Sequence, residues 1–149
     1  VAKLLKPIGE ILIEQGAIEN DQLALALEKQ KESKNSQRLG EILIEMGIVS
    51  EADLVVALTT QYSFAYLPLK YIIPNSDAYS LITKEAAYQY HCIPIDRVKD
   101  TLTVVTTDPS DSKALKEIEN LTKCKTQVFI TTVSEMRTAL KQFYGGEQA

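Results

Sequence analysis

Apolar positions in the first sixty residues fall into helical stripes separated by short polar stops. Leu39, Ile42, Leu43 and Met46 follow an i, i+3, i+4, i+7 spacing, which predicts a short helix with one buried face. Ser36 stands where its side chain can cap that helix, and Gly47 supplies the left-handed residue that closes it. Ser50, with Asp53 three residues on, reads as a capping-box-like start for a second helix that buries Leu54, Ala57 and Leu58. The same pattern stands 31 residues earlier. Ile8-Gly9-Glu10-Ile11-Leu12-Ile13-Glu14-Gln15-Gly16 recurs as Leu39-Gly40-Glu41-Ile42-Leu43-Ile44-Glu45-Met46-Gly47, and the match runs on through Leu23/Leu54, Ala26/Ala57, Leu27/Leu58 and Gln30/Gln61. Eleven of 23 positions are identical between 8–30 and 39–61, which chance does not give. The first copy therefore predicts the same two helices, with Gly16 as the stop and Leu23, Ala26 and Leu27 as the buried stripe. Residues 31–37 are a polar linker.

The pattern changes after residue 61. Residues 62–82 are aromatic and interrupted by Pro68 and Pro74, which reads as a connecting segment packed across the surface. Thr83 opens a short helix, Lys84 to Tyr90. Cys92 to Val98 reads as a strand that Pro94 confines to a sheet margin. Asp100 makes a turn before a strong strand, Thr101 to Thr106. The turn Asp108-Pro109-Ser110-Asp111 starts a helix carrying Ala114, Leu115, Ile118 and Leu121. Lys125 to Thr131 is a third strand. Thr132 and Glu135 form a capping box for a final helix with Met136, Leu140 and Phe143, ended by Gly145-Gly146. The fold class is α+β: a tandem helical-hairpin repeat over 1–61, then a ββαβα subdomain over 62–149 with helices packed on one side of a small sheet.

Composition bounds what such a chain can be. Its 149 residues suit one domain or two small subdomains, and 45% hydrophobic with 24% charged residues is ordinary for a globular protein. The net charge of −4 lies entirely in the repeat. Residues 1–61 hold six basic and ten acidic groups, whereas 62–149 hold ten of each. An acidic chain argues against nucleic-acid polymers and against a polybasic membrane surface. No apolar run reaches the roughly 18 residues of a membrane span, and the first seven residues are too short in apolar length for a signal peptide, so the chain is expected to be cytoplasmic, without direct membrane insertion.

Candidate chemistry is sparse. Two cysteines without a CxxC and a single histidine, His91, exclude a zinc ribbon, a disulfide scaffold and multi-histidine metal sites. No P-loop, dinucleotide fingerprint or nucleophile elbow is present. Cys92 beside His91 on a strand would point to the opposite face, so Cys92 reads as a small core residue. The expectation is no catalysis, no metal and no cofactor. Asp108 before Pro109 reads as a turn and capping residue. Gly9 and Gly40 are less easily explained. Each lies in the first turn of a predicted helix, where glycine costs about 1 kcal/mol relative to alanine. They imply close approach to the backbone by another helix or by a ligand. Arg38 and Lys6 at these helix starts oppose the macrodipole by some tenths of a kcal/mol. They read either as solvated residues or, with exposed N–H groups, as part of an anion site.

The double motif resembles the MshEN domain, the N-terminal regulatory domain of type II secretion and type IV pilus assembly ATPases. Arg38-Leu39-Gly40, Leu43, Gly47, Leu54, Leu58 and Gln61 match its Arg-Leu-Gly motif in the second copy. Ile8-Gly9, Leu12, Gly16, Leu23, Leu27 and Gln30 match it in the first. In the second half the resemblance is carried by Leu81-Ile82-Thr83-Lys84-Glu85-Ala86, Ile93-Pro94-Ile95, Asp108-Pro109 and Phe143-Tyr144-Gly145. Some members of the family bind cyclic di-GMP through the two motifs. The resemblance thus implies a non-catalytic regulatory domain with that dinucleotide as ligand. The matched motif residues would be its contacts: Arg38 on guanine or phosphate, Leu and Ile side chains on the bases, Gln30 and Gln61 lining or bracing the groove, and Asp108 reaching a guanine edge. One position departs from the family. Pro7 stands where the first copy would carry the arginine. Loss of a charge-assisted contact of about 1.5–3 kcal/mol weakens binding about tenfold to a hundredfold. The alternative implied role is a protein-docking module that tethers the assembly ATPase to an inner-membrane platform protein, making the chain peripheral to that membrane through its partners.

Overall fold

A computed structural model describes residues 7–34, 37–109 and 111–145, with Gln61 described by its backbone alone. Ser36, Lys6 and Gly146, named above as cap, cation and stop, lie outside the described residues. The chain divides into two compact units, with the division between Ser63 and Phe64.

Among the described residues, the first unit has four helices: α1 (Ile8–Glu14), α2 (Asn20–Glu32), α3 (Leu39–Glu45) and α4 (Glu51–Tyr62). The expected stops form. Gly16 and Gly47 take φ of 75° and 73°. Around each, the same pair of hydrogen bonds closes the helix: Gly16 N–H donates to Ile13 O at 3.0 Å and Ala17 N–H to Leu12 O at 2.9 Å, while Gly47 N–H donates to Ile44 O at 3.0 Å and Ile48 N–H to Leu43 O at 3.1 Å. This is the Schellman closure, and it needs a left-handed residue that glycine adopts without strain. Ser50 caps α4, accepting from Asp53 N–H at 3.0 Å. The helices interleave between copies: α2 lies against α3, α1 against α4, and α1 against α3. Ile11, Leu12, Ile42 and Leu43, at equivalent positions of the two copies, are buried in the core, as are Ile18 and Val49.

One buried position differs from the sequence expectation. Leu27 is 40% exposed, although its counterpart Leu58 is 1% exposed. Helix α2 sinks only a narrow arc, with Ala26 buried and Gln22, Leu23 and Gln30 half-buried, and Leu27 falls at the edge of that arc. Helix α4 sinks a wider one, spanning Leu54, Ala57, Leu58 and Tyr62.

The second unit holds a three-stranded sheet in the order β1 (Cys92–Val98), β2 (Thr101–Thr106), β3 (Lys125–Ile130). Strand β1 pairs antiparallel with β2, and β2 pairs parallel with β3 through the crossover helix α7 (Ser112–Thr122). Pro94 sits in the edge strand, followed by a register shift before Asp96. Leu102 and Val104 are buried between half-exposed Thr101 and Thr103, so one face is covered at that end. Val104, Val105 and Thr106 are all buried, so both faces are covered at the other. Helices α5 (Ser76–Tyr79), α6 (Lys84–Tyr90) and α8 (Val133–Tyr144) complete the unit. Thr83 and Thr132 cap α6 and α8 as expected. In α7 the buried stripe is Ala114, Ile118 and Thr122, and Leu121 is exposed rather than core, because it lies one residue off the i, i+4, i+8 line. The connecting segment does more than cross the surface. Ile130 N–H donates to Ala65 O and Leu67 N–H to Ile130 O, both at 2.8 Å, so Tyr66 forms an isolated parallel bridge to Ile130 at the end of β3.

Candidate functional site

The repeat brings its motif residues into one four-helix unit, and burial sorts them into two sets. Ile8, Leu12, Leu43, Leu54 and Leu58 are buried, and Gly9 and Gly40 are buried with them. Leu23, Gln30, Arg38 and Leu39 are half-buried, Leu27 is exposed, and Gly16 and Gly47 are exposed turn residues. The first set builds the unit. The second set retains surface on which a ligand could rest.

The two glycines of the motif are explained by this packing. A Cβ on Gly40 would stand 2.8 Å from Leu54 Cδ2, and one on Gly9 would stand 2.8 Å from Leu23 Cδ1 and 3.3 Å from Leu39 Cδ2. Of the two explanations open in the sequence, helix approach is the one observed: a leucine of the following helix occupies the space a side chain would take. The loss of helix propensity at glycine is thereby offset by closer packing.

The N-terminal ends of α1 and α3 share one backbone form. Pro7 (φ −58°, ψ 148°) and Arg38 (φ −76°, ψ 149°) both occupy the N-cap, with no side-chain cap. Proline thus lies one position earlier than the first helical turn. Its carbonyl accepts from Glu10 and Ile11 N–H at 3.1 and 3.3 Å, and the Arg38 carbonyl accepts from Ile42 N–H at 3.2 Å. Both helices span only seven residues, so their dipoles are small and an anion would have to be held by side chains. At this equivalent place one copy presents a half-buried guanidinium and the other an exposed pyrrolidine ring.

Arg38 is bordered by a polar tie absent from the sequence expectations. Gln30 Nε2 donates to Gln37 O at 3.1 Å, and Gln37 Nε2 donates to both Glu45 carboxylate oxygens at 3.1 Å. Gln30 therefore braces the linker just ahead of the Arg38 motif. The signal for this was the repeated Gln at the end of each copy, but its partner is a backbone carbonyl, which no side-chain pattern reveals.

Other sequence candidates fall elsewhere. Asp108 is in the second unit, half-buried in the turn after β2, where its N–H donates to Thr106 Oγ1 at 3.2 Å. The side chain that caps α7 is Asp111, accepting from Ala114 N–H at 3.0 Å, not Asp108. His91 is not on a strand: it ends α6 in the left-handed conformation with φ of 49°. Cys92 opens β1 and is buried. Among the described residues, no group of three or more His, Cys, Asp or Glu side chains is placed to hold a metal ion, and no helix is long and apolar enough to cross a membrane.

Comparison with known proteins gives these features a context. The family model of the MshEN domain matches residues 62–149, the second unit rather than the repeat. Whole-chain similarity extends to the repeat. The type IV pilus assembly ATPase PilB of Myxococcus xanthus strain DK1622 is 29% identical over 137 residues, covering 92% of this chain and 24% of PilB. The chain thus spans about a quarter of the length of that curated relative. A solved structure of MshE with cdg is 28% identical, with a TM-score of 0.69, covering 93% of this chain and 99% of that one. The N-terminal domain of XpsE, at 20% identity, shares the fold with a TM-score of 0.74, covering 93% and 94%.

Proposed function

The chain belongs to the MshEN domain family, and on that premise we propose that it is a non-catalytic regulatory domain of a type II secretion or type IV pilus assembly ATPase system that binds cyclic di-GMP through its tandem motif. The observation that carries this reading is the equivalence of the two copies. Their N-caps share backbone torsions, their stops share hydrogen bonds, and their glycines accept a leucine in the same way. Cyclic di-GMP is a pseudo-two-fold dianion with two apolar guanine faces. Duplicated elements suit such a ligand, one per half. The similarity to MshE with cdg supports the same ligand here.

In this reading Ile8, Leu12, Leu43, Leu54 and Leu58 shape the site from beneath, Leu23, Leu27 and Leu39 offer apolar surface to the bases, and Arg38 supplies the cationic contact. Gly9 and Gly40 let the helices close together, while Gly16 and Gly47 fix the helix exits. Gln30, from the end of α2, braces the linker just ahead of Arg38 through Gln37 O, and Gln61 has the equivalent sequence position in the second copy. Asp108 belongs to the second unit and is a contact only by family resemblance. Isothermal calorimetry tests the proposal. The wild type is expected to give saturable heat with cyclic di-GMP, and Arg38→Ala to bind about tenfold to a hundredfold more weakly, the value of one charge-assisted hydrogen bond. No heat from the wild type at high micromolar ligand sinks it.

A second reading has one observation in its favour: the exposed Pro7 removes one of the two expected cations. In that reading the unit is a docking module between the assembly ATPase and an inner-membrane platform protein, cytoplasmic and peripheral to the membrane. Pull-down with the tagged chain that recovers neither protein counts against it.

A further inference from the structure

The two motif starts lie side by side but offer a ligand different chemistry. Helix α1 packs against α3, and a Cβ on Gly9 would stand 3.3 Å from Leu39 Cδ2. Pro7 and Arg38 stand at the two helix starts beside this contact, with matching backbone torsions. Both helices span only seven residues, so selection at this place falls to side chains rather than to helix dipoles.

Arg38 is half-buried, and the linker ahead of it is held in place. Gln30 Nε2 donates to Gln37 O at 3.1 Å, and Gln37 Nε2 donates to the Glu45 carboxylate at 3.1 Å. A guanidinium carries five N–H donors in a fixed fork, more than one neighbour takes up. That fork matches the two acceptors, O6 and N7, on one edge of guanine. Adenine has an amino donor in place of O6 and cannot pair with both arms.

Pro7 offers nothing of the kind. Proline has no N–H to donate. Its carbonyl is taken up by Glu10 N–H at 3.1 Å and Ile11 N–H at 3.3 Å. Its ring is exposed hydrocarbon. Glu10, three residues on, is exposed, where a new hydrogen bond competes with water and gains little. Hydrocarbon lies against the face of either purine, because both present a flat ring system. Strong selection needs a polar group aimed at an edge, which an apolar surface does not supply.

On the basis of the dinucleotide site proposed above, we infer that the site reads guanine in one half of its ligand, through Arg38, and accepts either purine in the other, beside Pro7. The ligand class is then cyclic dinucleotides with at least one guanine, the hybrid cyclic GMP–AMP of the same ring linkage among them. Pro7 is the residue that sets this tolerance.

Calorimetry on the 149-residue chain with cyclic di-GMP, the hybrid and cyclic di-AMP tests this. The hybrid is expected to bind about twofold more weakly than cyclic di-GMP, because it fits in one orientation where the symmetric ligand fits in two. Cyclic di-AMP gives Arg38 no guanine and is expected to bind about tenfold to a hundredfold more weakly. Pro7→Arg supplies a second fork and is expected to widen the gap between cyclic di-GMP and the hybrid to about tenfold or more. A wild type that binds cyclic di-GMP but loses about tenfold or more on the hybrid overturns the inference and leaves the dinucleotide site standing, since another group then reads guanine beside Pro7. Equal binding of cyclic di-AMP, or a gap that Pro7→Arg leaves unchanged, overturns it as well. No heat with any of the three ligands removes the site itself, and the inference with it.

Discussion

Leu27 and Leu58 hold the same place in two copies of one motif, yet the first is 40% exposed and the second 1%. The same contrast repeats along the copies. Glu10 is exposed and Glu41 buried, and Leu23 is half-buried where Leu54 is buried. Backbone form, helix stops and glycine packing are shared, so duplication preserved the local instructions. Depth is not a local property. It follows from how wide an arc each helix sinks, and α4 sinks more than α2. A repeated sequence thus encodes two equivalent frames with unequal roles, one mostly structural and one with more surface.

Truncation at the paired leucines should break the comparison most sharply. Leu58→Ala removes a fully buried side chain and is expected to cost about 2–5 kcal/mol, the range for leucine-to-alanine cavities. Leu27→Ala removes a side chain that already meets water and should cost about 1 kcal/mol or less. Urea denaturation of both variants measures the difference, and equal costs would show that α2 and α4 are buried alike in solution.

The next effect concerns the ligand. Pro7 has nearly the torsions of Arg38 and is exposed, so an arginine fits there without backbone change. If the proposed site is correct, Pro7→Arg makes the first copy chemically like the second and tightens cyclic di-GMP by about tenfold to a hundredfold, the worth of one charge-assisted contact. Calorimetry on Pro7→Arg beside the wild type reads this directly, and unchanged affinity would show that the N-cap of α1 does not face the ligand.

Much of the architecture was legible from residues whose effect is local. Gly16 and Gly47 ended their helices, Ser50, Thr83 and Thr132 capped theirs, and Pro94 marked an edge strand. Where the determinant was another segment, the sequence pattern was silent. Leu27 and Leu121 have core spacing but lie at the margins of their buried arcs. Asp108 and Asp111 flank one turn, and only the geometry shows that Asp111 reaches the helix N–H. The Gln30 to Gln37 tie and the role of Glu135 as a clamp on Tyr66 and Leu69 join groups far apart in sequence or acting through the backbone. Among the candidate site residues the motif was legible, but not its division into buried supports and exposed surface.

A smaller effect tests the glycines. Gly40→Ala gains up to about 1 kcal/mol of helix propensity but forces its methyl against Leu54, which is buried and hemmed in, so overpacking of about 1–3 kcal/mol wins. Gly9→Ala meets Leu23, which is half-exposed and can swing away, so the two terms come close to cancelling. Thermal denaturation should lower the midpoint for Gly40→Ala and leave Gly9→Ala within about 0.5 kcal/mol of wild type.

The smallest difference lies at the starts of α2 and α4, and salt distinguishes its cause. Ser50 and Glu19 are equivalent N-caps. Ser50 accepts from Asp53 N–H at 3.0 Å through a neutral hydroxyl, a short side chain that loses little freedom when held. Removing it as Ser50→Ala should cost about 1 kcal/mol at any ionic strength. Glu19 is a long, exposed residue whose own N–H donates to Gln22 Oε1 at 2.8 Å, a bond that survives truncation of its side chain. What Glu19→Ala removes is mainly a negative charge beside the positive end of a 13-residue helix, worth about 0.3–1 kcal/mol at low salt and screened at high salt. Urea denaturation of both variants at low and high salt should therefore give a constant loss for Ser50→Ala and a fading one for Glu19→Ala. A salt-independent loss at Glu19 would mean that its carboxylate caps by hydrogen bonding, as Ser50 does, and that the two copies are more alike at this end than their residues suggest.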